Sequence, residues 1–134
     1  MVALVPSVVA SNLVGKPREL KIPAIPSVVF TIPQCATIGF TEEEAKEKKL
    51  DFEIIQEDAS GWFNTKRINA DAYRWKIILD KKTDLILGAH IASHEANEQI
   101  NMIAIAMNAQ MTFTNFKRTI FTYPSWGNDF KSYE

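Results

Sequence analysis

Two stretches of alternating apolar and polar residues constrain the fold of this chain most strongly. The first places apolar side chains at every second position, at Tyr73, Trp75, Ile77 and Leu79. The second repeats this spacing after the polar turn 80–84, at Leu85, Leu87, Ala89 and Ile91. Successive side chains of a strand point to opposite faces, so each stretch predicts a strand with one buried face. Two such strands across a short polar turn predict an antiparallel hairpin.

The region before the hairpin opens with a helix and a linker. Pro6 near the start and Gly15 just past the end predict a short helix over 6–14. Three prolines then mark residues 15–26 as an extended linker. The β-branched and aromatic run 28–31 predicts a first strand, which Pro33 ends.

Between this strand and the hairpin we expect a helix, a strand and a loop. Thr41 followed by Glu44 matches a capping box, which predicts a helix over 42–49. Apolar residues from Phe52 predict a second strand that fades by Ala59, and residues 60–71 are expected to form a polar loop.

The hairpin is followed by a helix that is apolar on two sides. Ser93 is a suitable N-cap for it. One side is expected to cover the sheet and the other to meet another domain or subunit. The two sides comprise Ala96, Ile100, Ile103, Ala104 and Met107, and Met102, Ile105, Ala106 and Ala109. A short helix over 114–118 and an irregular segment over 121–130 complete an α+β prediction, an antiparallel sheet with helices packed on it.

Length and charge limit the classes of partner. The 134 residues suit one domain, and the formal net charge is −1. Basic residues are dispersed among acidic ones, whereas phosphate binding requires a concentrated positive surface, so no nucleic acid partner is expected. No apolar stretch approaches the roughly 18 residues that a membrane span requires. We therefore expect a cytoplasmic protein with no membrane partner.

The motifs of nucleotide binding and dithiol chemistry are missing from the sequence. Glycines at 15, 39, 61, 88 and 127 fit neither GxGxxG nor GxxxxGK[ST]. Cys35 is the single thiol, which excludes an intrachain disulfide and a CxxC pair. We expect Cys35 to be a small, semi-buried residue in a turn.

Histidines and tryptophans are expected to be structural. His90 and His94 are four residues apart, but His90 falls in a strand and His94 at a strand–helix junction. The spacing therefore lacks the helical geometry of a two-histidine metal site, and no metal is expected. Trp62, Trp75 and Trp126 are expected to anchor the core or an interface.

Three separated motifs together resemble one enzyme family. IPSVVFTIP at 25–33 with ATIGFTEEEA at 36–45 is similar to the start of the C-terminal domain of glutathione reductase, dihydrolipoamide dehydrogenase and mercuric reductase. Gly88 to His90 and Ala96 to Ile100 resemble the strand–helix stretch of the same domain. Tyr123-Pro124-Ser125 lies where that family usually has His-Pro-Thr.

The resemblance implies the dimerisation-domain fold of FAD/NAD-linked reductases, within the pyridine nucleotide-disulfide oxidoreductase family. Residues 1–21 would be the end of an FAD domain and a linker, and residues 22–134 the C-terminal interface domain. The parent would use FAD and NAD(P)H, held by upstream FAD and NAD(P) domains, and would form a homodimer. The interface domain would form one wall of the partner's active site, while the fragment alone would hold no cofactor and would not be an enzyme.

The resemblance also marks candidate catalytic positions. The family's histidine, oriented by a glutamate five residues later, corresponds to Tyr123, and the glutamate corresponds to Asn128. Because tyrosine side chains titrate near 10 and histidine near 6.5, a tyrosine is a poor base at neutral pH. Pro124 is the candidate flavin-proximal residue, and the resemblance implies a cis Tyr123–Pro124 peptide.

Two alternatives stay open at the level of the sequence. The chain could be an autonomous α+β binding or regulatory module with no redox function. It could also be a hydrolase using Ser125, which lacks the flanking glycines of a nucleophile elbow, or Cys35, which has no nearby cation in the sequence.

The missing nucleotide fingerprint leads to a direct prediction about flavin. Purified residues 1–134, mixed with FAD and passed through a desalting column, should emerge without flavin absorbance. Co-elution of stoichiometric FAD would contradict the assignment to an interface domain.

Overall fold

The computed structural model describes residues 4–19 and 24–134, whose centre is one five-stranded antiparallel sheet. The strand order is β1-β2-β5-β4-β3, which confirms the predicted α+β class. The strands are β1 (Ser27–Val29), β2 (Gln34–Gly39), β3 (Phe52–Asp58), β4 (Arg74–Asp80) and β5 (Ile86–Ser93). The helices are α1 (Leu4–Leu13), α2 (Glu42–Glu47), α3 (Phe63–Arg67), α4 (Ala96–Asn108), α5 (Phe113–Lys117) and α6 (Trp126–Asp129), followed by a 3-10 turn, Phe130–Ser132.

The predicted hairpin is confirmed as β4 and β5. Trp75 pairs with Ile91 and Ile77 with Ala89, and all four side chains are buried on one face. The predicted inward-facing positions at the start of β5 are wrong by one residue. A register irregularity between Ile78 and Leu79 brings Ile86, rather than Leu85 or Leu87, onto the buried face.

Helix α4 covers this buried face of the sheet. Ile100 and Ile103 are fully buried, and they belong to the same hydrophobic cluster as Ala36 and Ile38 of β2. The second apolar side of α4 was predicted to contact another domain or subunit, but it is only partly exposed, because Ala106 is buried within this domain. Ile105, which is 67% exposed, remains available on the outer side of the helix.

The other face of the sheet is partly covered by α2. Lys76 Nζ on this face lies 3.3 Å from a Glu42 carboxylate oxygen. Beyond α2 the face is an open groove of about 680 Å³, whose lining includes Cys35, Thr37 and His90. Within the described residues, no helix is long and apolar enough to cross a membrane.

The predicted ends of α1 and α2 are confirmed in part. Thr41 and Glu44 form the predicted capping box, but α2 ends at Glu47 rather than at Lys49, with Lys48 as its C-cap and Lys49 at a left-handed φ of 55°. Among the described residues, helix α1 already includes Leu4, two residues before the predicted start at Pro6, and it ends at Leu13, before Gly15, whose φ is 74°. The amides of Gly15 and Lys16 bond to the carbonyls of Asn12 and Ser11, a Schellman termination.

Several predicted elements need correction. Cys35 lies in β2 rather than in a turn, since pairing with β1 and β5 stabilises a strand of weak β-propensity. The supposed polar loop 60–71 contains α3, and the supposed irregular segment 121–130 contains α6. Ser93 ends β5, and the N-cap of α4 is Glu95, because the Ser93 hydroxyl donates instead to Gln99.

A close backbone approach at Gly39 and Gly88 generates a stability prediction. A Cβ on Gly88 would lie 2.0 Å from the Phe40 carbonyl oxygen, and one on Gly39 would lie 2.2 Å from that of Leu87. Gly88→Ala should therefore lower the free energy of unfolding by about 2 to 3 kcal/mol, measured by urea denaturation. Gly61→Ala is the matched control, because nothing lies within 4 Å of a Cβ there. Equal midpoints for the two variants would refute the steric argument.

Candidate functional site

The predicted site loop is an exposed turn near the C-terminus. Tyr123 is 69% exposed, and Pro124 is also exposed. The peptide between them is cis, as predicted, and Ile32–Pro33 is a second cis peptide that sequence reasoning missed. The Tyr123 ring stacks on Phe63, with centroids 6.1 Å apart and planes inclined by 23°. One face of the tyrosine is thus backed by α3, while the side chain stays accessible.

The turn after Pro124 is held by Ser125. Its hydroxyl accepts from the Asn128 amide at 3.2 Å, which caps α6, and donates to the Thr122 carbonyl oxygen. Both hydrogen bonds of the Ser125 hydroxyl are made to backbone groups. The hydrolase alternative therefore has no structural support at Ser125. Asn128 is half-buried, and no hydrogen bond among the described residues joins its side chain to Tyr123. Tyr123 therefore lies in the turn and Asn128 in the following helix α6, without a hydrogen bond between their side chains.

Asn64 of α3 is a site residue that sequence reasoning missed. Its side chain is 1% exposed, and its Nδ2 lies 3.0 Å from the Ser125 carbonyl oxygen. The same nitrogen lies 3.0 and 3.1 Å from the two carboxylate oxygens of Asp129. Burial raises the pKa of Asp129, and the hydrogen bond from Asn64 acts in the opposite direction. A polar residue inside a segment interpreted as a loop carries no signal that it will be buried, which explains the omission.

A buried aromatic and polar network lies behind this turn. Trp126 packs edge-on against Tyr73 with centroids 5.1 Å apart, and the hydroxyls of Tyr73 and Tyr133 are 2.8 Å apart. Gln99 of α4 donates from Nε2 to the Tyr73 hydroxyl at 2.6 Å. Burial raises the pKa of both tyrosines above the usual range, so their hydroxyls stay protonated at neutral pH. Trp75 stacks on Tyr133 and Trp62 contacts it, confirming the tryptophans as core anchors.

The remaining candidates do not form a reactive centre. Cys35 is exposed rather than semi-buried, and its sulfur lies 3.9 Å from the Thr31 hydroxyl. His90 is hydrogen-bonded through Nδ1 to Thr37 at 2.7 Å and through Nε2 to the Phe40 carbonyl at 3.3 Å. His94 lies 3.8 Å from Glu95 on the surface. No three metal-ligating side chains come together in the part of the chain that the structure describes.

Comparison with known proteins assigns this arrangement to a family. Residues 25–133 match the model of the pyridine nucleotide-disulphide oxidoreductase dimerisation domain. An uncharacterised 19.7 kDa protein of a mercuric resistance operon in Staphylococcus aureus is 42% identical over 123 residues, covering 91% of this chain and 68% of the relative. Dihydrolipoyl dehydrogenase of Bacillus subtilis is 31% identical over 120 residues, covering 90% of this chain.

A solved structure has the same fold. The HOCl-induced flavoprotein disulfide reductase RclA from Escherichia coli superposes with a TM-score of 0.86 at 26% identity, covering 95% of this chain and 30% of that protein. The chain spans only 26% of the Bacillus subtilis dehydrogenase. The match over 25–133, together with the common sheet and helices, establishes that the chain belongs to the pyridine nucleotide-disulphide oxidoreductase dimerisation domain family.

Proposed function

We propose that this chain is the interface domain of an FAD-dependent NAD(P)H oxidoreductase, in which it forms a homodimer and supplies one wall of the partner's active site. Residues 1–21 would then complete the FAD domain, and residues 22–134 would form the interface domain. Family membership supports the dimerisation function and leaves the alternative of an autonomous binding module without a supporting observation.

The outer side of α4 is the proposed dimer surface. From Ala96 to Asn108 the helix has a single charged residue, Glu98, and charge depletion is typical of interface cores. Ile105 is 67% exposed and lies one turn beyond Met102 on the same side. Met102 in turn packs against Gly127 of α6: a Cβ added to Gly127 would lie only 3.1 Å from the methionine sulfur. This contact joins α4 to α6, the helix that follows the Tyr123 turn.

The Tyr123 turn would complete a flavin site rather than form one. An antiparallel sheet without a glycine-rich phosphate loop does not fit the dinucleotide, so FAD would be held by upstream domains. Bound flavin supplies electron transfer. Tyr123 and Pro124 are both exposed on a turn backed by Phe63, a geometry that suits contact with a group presented by another subunit. The tyrosine hydroxyl would donate a hydrogen bond there, in place of the family's acid/base imidazole.

The dimer is tested by placing a charge on the proposed surface. Residues 1–134 should sediment as a dimer at tens of micromolar, and Ile105→Glu should sediment as a monomer, since an unpaired charge is costly in a buried interface. Val29→Glu is the matched control, because Val29 is 62% exposed on the edge strand β1 and lies on the sheet face opposite α4. A monomeric wild type, or a dimeric Ile105→Glu variant, would count against the proposal.

The active-site wall is tested in the full-length flavoenzyme by Tyr123→Phe. The substitution keeps an aromatic ring against Phe63 and removes only the hydroxyl. We expect kcat to fall roughly five- to tenfold, the equivalent of one hydrogen bond of about 1 kcal/mol. FAD content and dimer formation should not change. An unaltered kcat would show that the hydroxyl does not reach the reacting groups.

A further inference from the structure

We infer that Asn64 is the positioning residue of the Tyr123 turn: its amide holds the Ser125 carbonyl while the preceding residue, Phe63, holds the tyrosine ring. This inference rests on the proposed contribution of Tyr123 to a partner's active site, and it assigns the control of that contribution to α3.

The two contacts come from consecutive residues of one short helix. Phe63 is 56% exposed and stacks on Tyr123, whereas Asn64 is 1% exposed and reaches the turn from inside. The Asn64 Nδ2 to Ser125 O distance of 3.0 Å fixes the backbone two residues after the tyrosine. Tyr123 is therefore bracketed, with its ring held on the surface side and its following backbone held on the buried side.

Helix α3 can act as a platform because it is itself tied to the sheet. The Thr65 hydroxyl donates to the Ala59 carbonyl oxygen at 3.2 Å, and that hydroxyl is buried. The Ala59 amide donates in turn to the Tyr73 carbonyl oxygen at 2.7 Å, just before β4. The position of Tyr123 is thus connected to the central hairpin through α3.

The bonding of Asn64 is one-sided. Its nitrogen has two hydrogens for three nearby acceptor atoms, those of Ser125 and of the Asp129 carboxylate. Its Oδ1 is buried and has no hydrogen-bond partner among the described residues. An unsatisfied buried acceptor costs free energy. Asn64 therefore does more than fill space, since its amide donors are directed at the Ser125 carbonyl and the Asp129 carboxylate while its oxygen stays unsatisfied.

The two arms of Asn64 can be separated by substitution. Asn64→Asp places two carboxyl groups together and should be the least stable variant. The double variant Asn64→Asp, Asp129→Asn restores a donor–acceptor pair between α3 and α6, but residue 64 still cannot donate to the Ser125 carbonyl. Asp129→Asn alone retains the Asn64 donors, and Asn115→Ala is an exposed asparagine control on α5.

The readout is the position of the Tyr123 ring in residues 1–134, followed by the NMR cross-peaks between the Phe63 and Tyr123 rings. We expect these cross-peaks to persist in Asp129→Asn and Asn115→Ala. In Asn64→Ala and in the double variant they should weaken, and the Asn128 amide should exchange about tenfold faster, as expected for a loosened cap. In the double variant thermal stability should nevertheless recover above that of Asn64→Asp.

Wild-type cross-peaks in Asn64→Ala, or in the double variant, would overturn the inference and leave Asn64 as a link between α3 and α6 alone. The ring contact is internal to one chain, so this result does not depend on dimer formation, which sedimentation measures separately. In the full-length flavoenzyme, Asn64→Ala should lower kcat as Tyr123→Phe does, and the double variant Asn64→Ala, Tyr123→Phe should fall no further than Tyr123→Phe. Additive losses would contradict a common pathway through Tyr123.

Discussion

The packing of α4 against the inner face of the sheet is the interaction on which the rest of the structure depends. Ile100 and Ile103 are fully exposed in an extended chain and fully buried here, and each such burial contributes about 1.5 to 3 kcal/mol. The contact joins residues of β2 and β5 to one helix. It also orients α4, so that Ile105 points outward and Gln99 points into the domain.

The inward direction of Gln99 connects the core to the candidate site. Buried polar groups require partners, and Gln99 accepts from Ser93 and donates to the Tyr73 hydroxyl, which contacts Tyr133. The last residues of the chain are therefore locked to α4 and β4 rather than left as a tail. Trp126 packs on Tyr73, so the residues that follow the Tyr123 turn are anchored to the core.

The family assignment is clear, but the residues of the Tyr123 turn differ from the acid/base pair that the resemblance implies. The fold, the match over 25–133 and the superposition on a flavoprotein disulfide reductase agree on a dimerisation domain. The resemblance assigns the acid/base positions to Tyr123 and Asn128, and their side chains are not hydrogen-bonded to each other in the described structure. The family assignment thus stands on the fold and on the match over 25–133, independently of the altered turn.

The sequence by itself determined the hairpin, the capped helix α2, the apolar helix α4 and the family motifs. Each of these depends on spacing along the chain, which strand and helix periodicity convert directly into local structure. Only the tertiary structure decided that β2 is a strand, that α3 exists, and that Asn64 is buried against Ser125 and Asp129. The pairing of β2 with β5 and the burial of Asn64 against Ser125 and Asp129 involve partners about 50 to 65 residues away in sequence, so no local pattern encodes them.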